Sequence, residues 1–230
     1  MKIALFDIDG TLVWTHGAGG RAMRRALLAV NGSEGPRDHR YDGKTDKQIV
    51  REAMAAEGFT ADIVDARMTA ILDRYLAELA RELNSADHQA RALPGVHALI
   101  DAVAERDDVV LGLLTGNVVA GADRKLRAVG LDPARFLVGA FGDDHEHRHE
   151  LPPIARARAA LHLGRDVRGD ACVIIGDTPN DVACGRPIGA RAIAVATGHY
   201  DVAALAACGP DALFGDLADT AAVLEAIVNA

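Results

Sequence analysis

Lys2-Ile3-Ala4-Leu5-Phe6-Asp7-Ile8-Asp9-Gly10-Thr11 follows Met1 and decides how the rest of the chain must be arranged. Its apolar run predicts a buried strand over residues 2–8, turning at Gly10. No second strand follows until past Pro94. The intervening segments read as helices. From Arg21 onward, Met23, Ala26, Leu27 and Val30 share one helical face. Residues 32–43, rich in Gly, Pro and charge, form a connection. Asp46 is placed to cap a helix carrying Ile49, Val50, Ala53 and Met54, which Gly58 ends. Over residues 63–83, Met68, Ile71, Leu72, Tyr75, Leu76, Leu79 and Leu83 follow a three–four spacing, giving a helix with one apolar stripe.

After Pro94 strands and helices alternate. Strands are expected over residues 109–114, 136–141, 172–175, 192–195 and 212–214. Helices are expected over 96–105, 119–129, from Pro152 or Pro153 to about 163, near Asp181, and over 202–207 and 217–228. Pro187 should stop the helix at Asp181 early, with Gly185 as its cap. A lone first strand cannot make a sheet, so it must pair with strands of the second half. The expected fold is α/β: a Rossmann-like parallel sheet with helices on both faces, built from residues 1–14 and 89–230. An all-helical cap is inserted at 15–88.

The 230 residues are 50% apolar and 25% charged, the composition of a globular protein with a substantial core. No apolar run is long enough to span a membrane. The N-terminus lacks the pattern of a signal peptide. Net charge is −8 with no cluster of Lys and Arg, which argues against nucleic acid as a main ligand. The three cysteines, Cys172, Cys184 and Cys208, are odd in number and widely spaced, which suits a reduced, cytoplasmic setting. No exposed apolar stripe demands a partner, so a monomer and a homodimer both remain open.

Three expected strands run into polar clusters: Asp7-Ile8-Asp9-Gly10-Thr11, Thr115-Gly116-Asn117 and Gly176-Asp177-Thr178-Pro179-Asn180-Asp181. In an open parallel sheet, ligands bind beyond the carboxyl ends of the strands. These clusters would therefore converge although they lie far apart in sequence. Taken singly, each also reads as ordinary punctuation, an acid capping a helix or a Thr-Gly-Asn turn. Three together, each at a strand end, point to a site.

The DIDGT, TGN and GDTPND motifs, in that order, resemble the haloacid dehalogenase superfamily, in the phosphatase branch with a helical cap after the first motif. Within that branch the chain looks like the phosphoglycolate phosphatases. The resemblance extends over essentially the whole chain. It implies a Mg²⁺-dependent phosphomonoesterase acting on a small phosphorylated metabolite through an aspartyl-phosphate. Asp7 matches the family's nucleophile, a carboxylate that splits hydrolysis into two easier steps. Asp9 matches its general acid/base, a role typically worth about 10²–10⁴-fold. Asp177 matches the magnesium ligand, acting with the Asp7 side chain and the Asp9 main-chain carbonyl. Asp181 takes a supporting role at the metal, or alternatively is only a helix-start acid. Thr115 would offer its hydroxyl to phosphate, with the backbone amides of Gly116 and Asn117. Two neighbouring carboxylates would repel a phosphate dianion, so a cation is needed, and all-oxygen ligation suits Mg²⁺.

The family also requires a Lys or Arg that holds nucleophile and phosphate. The usual Lys-Pro pattern is missing from Asp144-His145-Glu146-His147-Arg148-His149-Glu150-Leu151-Pro152-Pro153, and no Lys follows Lys125. Arg148 is the expected substitute, always charged and able to bind phosphate bidentately. His145, His147 and His149 would share one side of an extended chain, but no Cys accompanies them, and a solvated loop is preferred to a zinc site. Gly43-Lys44-Thr45-Asp46 resembles a cap motif of related phosphatases. Lys44 is placed to meet a substrate carboxylate, or is simply solvated. Arg21, Arg24 and Arg25 read as a solvated face. Two alternatives stay open: a sugar-phosphate mutase on the same core, and a non-catalytic phosphate-binding regulator. Asp9 argues against a dehalogenase. A phosphonate hydrolase would need a Schiff-base lysine in the cap, where only Lys44 and Lys47 are available.

Overall fold

The computed structural model describes residues 1–85 and 88–230. In chain order the elements begin with β1 (Lys2–Phe6), β2 (Val13–Trp14), α1 (Ala18–Asn31), α2 (Asp46–Ala56), α3 (Ala61–Asn84) and β3 (Arg91–Ala92). They continue with α4 (Val96–Ala104), β4 (Val109–Leu114), α5 (Val119–Ala128), β5 (Val138–Ala140), α6 (Leu151–Leu163) and β6 (Cys172–Gly176). The last are α7 (Pro179–Cys184), β7 (Arg191–Val195), α8 (Val202–Ala206), β8 (Ala212–Phe214) and α9 (Thr220–Asn229). A parallel sheet has the strand order β5-β4-β1-β6-β7-β8. The lone N-terminal strand thus lies between two strands of the second half, as its apolar run required. Ala4 is opposite Leu111 on one side and Val173 on the other.

Alternate residues of β1 feed two cores. Ala4 and Phe6 pack with Leu99, Leu126, Val223 and Ile227 of α4, α5 and α9. Ile3 and Leu5 pack with Leu151, Ala155 and Ala159 of α6. A third core holds the cap together: Met23 and Leu27 of α1, Val50 and Met54 of α2, and Ile71, Tyr75 and Leu79 of α3. The expected cap span of 15–88 includes Ala86 and Asp87, which lie outside the described residues.

Several local expectations shift, each for a visible reason. β1 ends two residues early because the Ile8 carbonyl accepts from Thr11, Leu12 and Val13 and closes a turn. The cap is entered and left through a two-stranded antiparallel ribbon, β2 with β3, too short to carry a periodic signature. Asp46 is not the cap of its helix: the Thr45 hydroxyl accepts from the Gln48 amide at 3.1 Å, and Asp46 is the first helical residue, buried. The last helix starts at Thr220, where the Asp219 side chain accepts from the Ala222 amide, and Leu217 lies ahead of it, fully buried in the core with α4 and α9. α7 stops at Cys184 with Gly185 at its end, as Pro187 demanded. All three cysteines are free, and burial pushes the thiols of Cys172 and Cys184 up to about 11 and about 12. Among the described residues, no helix is long and apolar enough to cross a membrane.

Candidate active site

The carboxyl ends of β1, β4 and β6 meet, and two differently built groups of side chains form there. The first surrounds Asp7. Its backbone N–H donates to Ile175 O at 2.9 Å, extending the ladder by one bond and holding the residue at the sheet edge. Its side chain is buried, with Oδ1 3.1 Å from Arg148 Nη2. Arg148 lies in a short turn just before α6, and its Nη2 also donates to Leu114 O at 3.2 Å and to Asp181 Oδ1. This arginine is therefore buried between two carboxylates. Its burial opposes the charge, but Asp181 and Asp7 outweigh that and hold the guanidinium above the ordinary arginine range.

Asp177 accepts from Thr11 Oγ1 at 3.0 Å and sits against Gly10, whose φ of +80° only glycine adopts readily. A Cβ at Gly10 would lie 2.3 Å from Asp177 Oδ2. Asp181 Oδ2 accepts from the Thr178 amide at 3.0 Å, completing a capping box at the start of α7. It is therefore both a helix-start acid and a member of the site. Oxygens of Asp7, Asp177 and Asp181 all lie within 4.8 Å of one another. Burial pushes Asp7 up to about 6, opposed by Arg148 and reinforced by Asp181 and Asp9. Burial likewise raises Asp177 well above the usual range, with Asp181 and Asp7 adding to it. Three buried carboxylates thus face a single guanidinium. Asp7 Oδ1 accepts no hydrogen bond and the Asp9 carbonyl receives none among the described residues. An excess of hard oxygen donors with open valences fits a divalent cation of the Mg²⁺ type.

The second group surrounds Asp9. Its side chain is 43% exposed, and Oδ2 accepts from Asn117 Nδ2 at 2.8 Å and from Lys125 Nζ at 2.6 Å. Asn117 Oδ1 accepts from the same Lys125 Nζ at 2.6 Å, and its Nδ2 also reaches Thr115 Oγ1 at 2.8 Å. Asn117, expected to offer its backbone amide, also joins this group through its side chain. That amide reaches Thr115 Oγ1 at 3.3 Å, while the Gly116 amide makes no hydrogen bond among the described residues. Lys125 is the residue sequence reasoning missed. It is buried on α5 between Ala122 and Leu126 of the core, and a lysine on the apolar stripe of a helix was the available signal.

The cap closes over both groups around a cavity of about 260 Å³, with Trp14, Met23, Tyr41, Ile49 and Tyr75 in its wall. The Gly43–Asp46 loop docks on the core. Asp46 N donates to Gly116 O at 2.8 Å, Asn180 Nδ2 to Gly43 O at 3.0 Å, and Thr45 Oγ1 to Glu146 O at 2.5 Å. Lys44 lines the cavity, but its ammonium is bonded to Glu52 at 2.6 Å. Among the described residues, Asp7, Asp177 and Asp181 are the group able to hold a metal. His145, His147 and His149 instead form a row of rings with centroids 5.5 and 5.6 Å apart. Arg21 and Arg25 pair with Glu82 at the surface, and Arg24 donates to the carbonyls of Pro36 and Arg37.

The family model of haloacid dehalogenase-like hydrolases matches residues 4–186. The chain belongs to that family. Phosphoglycolate phosphatase of Rhodospirillum rubrum is 32% identical over 225 residues, covering 94% of this chain and 88% of that protein. Among solved structures, a hydrolase from Pseudomonas syringae has a TM-score of 0.74 at 23% identity, covering 99% of both chains. CbbY of Rhodobacter sphaeroides, in complex with phosphate, has a TM-score of 0.73 at 23% identity, covering 95% of this chain and 96% of that one. These structural likenesses establish the fold, a parallel sheet with a helical cap. Within the family the chain is phosphoglycolate phosphatase-like, a phosphoric monoester hydrolase.

Proposed function

We propose that this enzyme hydrolyses a small, phosphoglycolate-like phosphate ester with Mg²⁺, through an aspartyl-phosphate formed on Asp7. The observation that carries the reading is the buried set of Asp7, Arg148, Asp177 and Asp181, with Asp9 two residues beyond the nucleophile. Asp7, Asp177, Asp181 and the Asp9 carbonyl would hold the ion, which neutralises phosphoryl charge as it builds up. Arg148 keeps Asp7 in place and offers its remaining N–H groups to phosphoryl oxygens; its Nε has no hydrogen-bond partner among the described residues. Thr115 and the Gly116 amide supply further donors. The Asp7 carboxylate attacks phosphorus as the ester P–O bond breaks, and Asp9 protonates the departing oxygen. Asp9 then takes a proton from water as that water attacks the aspartyl-phosphate, releasing phosphate and restoring Asp7. The cavity of about 260 Å³ beneath the closed cap suits a small ester. A carboxylate on that ester would draw Lys44 from Glu52. The free cysteines fit a cytoplasmic setting.

The test is phosphate release from a panel of phosphorylated metabolites, with Mg²⁺ and with a chelator. The expected result is Mg²⁺-dependent release ranked by kcat/KM, with phosphoglycolate near the top. Absence of turnover at every Mg²⁺ concentration would shift the reading to a phosphate-binding regulator. Transfer between sugar positions without phosphate release would shift it to a mutase.

A further inference from the structure

Lys125 is 3% exposed, yet it lines the catalytic cavity, and its ammonium carries three N–H donors. One meets Asp9 Oδ2 at 2.6 Å and one meets Asn117 Oδ1 at 2.6 Å. The Tyr75 hydroxyl of the cap stands beside the same ammonium. Two of the three donors are thus committed to Asp9 and Asn117. Asp9 Oδ2 in turn accepts twice, from Lys125 and from Asn117, whereas Oδ1 accepts no hydrogen bond among the described residues. The carboxyl is thereby held in one orientation with one oxygen free.

We propose that Lys125 is a positioning residue for Asp9: together with Asn117 it occupies Oδ2 and leaves Oδ1 to carry the proton for the leaving group. The inference rests on the reading of Asp9 as acid. As the ester P–O bond breaks, its electron pair stays on the leaving oxygen, which takes the proton from Oδ1 and departs as the alcohol. Asp9 is left as the carboxylate. The cap completes the arrangement. A Cβ at Gly19 of α1 would lie only 3.3 Å from Lys125 Nζ and 3.9 Å from the Tyr75 hydroxyl oxygen. The closed cap therefore sets glycine backbone and the tyrosine hydroxyl beside the ammonium, and the acid reaches its working geometry with the cap shut.

Leaving-group dependence separates this role from a structural one. A p-nitrophenolate leaves without help, whereas an alkoxide must be protonated. The parameter kcat/KM covers the chemistry up to departure of that group. Lys125→Met should lower kcat/KM for alkyl phosphates by about 10²-fold, within the usual span of acid catalysis. The alkyl-to-aryl ratio should fall at least about tenfold, mostly through kcat. Tyr75→Phe keeps the ring in the cap core and removes the hydroxyl beside the ammonium; it should lower the same ratio by a smaller factor. It also serves if Lys125→Met does not fold. In an Asp9→Asn background, Lys125→Met should leave the ratio where Asp9→Asn alone puts it. Equal losses for both ester classes in Lys125→Met, or an unchanged ratio in both variants, would overturn the proposal. A wild-type enzyme active on phosphate esters but blind to leaving group would overturn it while sparing the proposed function. A wild-type enzyme inert to every ester would overturn both.

Discussion

Asp7 and Asp9 stand two residues apart and live in opposite surroundings. Asp7 is 4% exposed, and the charged groups packed on it, Arg148, Asp177 and Asp181, come from the sheet domain. The Asp9 side chain is 43% exposed and is held by Asn117 and Lys125, behind which stand Tyr75 and Asp46 of the cap. The contrast teaches how labour is divided between the domains. The sheet domain alone supplies the charged groups packed on Asp7. Asp9 is held at the seam between domains, by core residues that the cap in turn packs against.

The strongest way to break this contrast is Asp7→Asn. Turnover should fall below detection while the fold persists, because the amide matches the carboxylate in shape. The sign of the stability change is also set. Burial lifts Asp7 to about 6 in the folded chain, so metal-free protein loses stability as pH rises from about 4 through about 6. Above that window, Asp7→Asn should melt higher than metal-free wild type. Appreciable residual phosphate release would place the nucleophile elsewhere.

Arg148→Ala comes next in size. It removes the guanidinium from Asp7 and Asp181 and leaves buried acids facing one another. Breaking a buried ion pair on one side costs about 3–5 kcal/mol, which urea unfolding would register. Because the variant leaves excess negative charge, millimolar Mg²⁺ should recover more stability in it than in wild type. A loss in urea that Mg²⁺ does not touch would separate Arg148 from the cation's surroundings.

The two halves were unequally legible in the sequence. Asp7 and Asp177 could be placed at converging strand ends because β1 and β6 are continuous apolar runs ending in acids; Arg148 is reached through the family resemblance, which calls for a cation before a Pro-containing helix start. Lys125 and Asp46 could not. Lys125 occupies the last turn of α5, where a basic residue is ordinary helix punctuation; its place on the apolar stripe beside Ala122 and Leu126 signals burial, and only tertiary contact with Asp9 says what it is buried for. Asp46 looked like a cap because a helix does begin there; the neighbouring threonine takes that role, and the acid turns to the Val118 amide of the core. The omission and the misreading both fall at the seam between domains. Sequence periodicity reports burial within one element, and a seam is made by two elements distant in the chain.

Asp46→Asn is the smallest expected effect and probes that seam without touching the reacting groups. Asp46 Oδ2 accepts from the Val118 amide at 2.9 Å, and the side chain is buried near Lys125, Asp9 and Asp143. Burial raises its pKa to about 6, against the pull of Lys125 and of the Val118 amide. The folded chain therefore holds this proton more tightly than the unfolded chain, and the stability it contributes in acid is lost as pH rises from about 4 through about 6. Asparagine still accepts from the Val118 amide and does not titrate. Across that window, wild type should lose on the order of 1–3 kcal/mol relative to Asp46→Asn, with no further divergence once the acid is fully ionised. Urea unfolding at a series of pH values measures the difference directly. A difference that stays flat across the window would mean that Lys125 compensates the Asp46 charge fully, and the cap would then dock on the Asp9 half without an electrostatic cost.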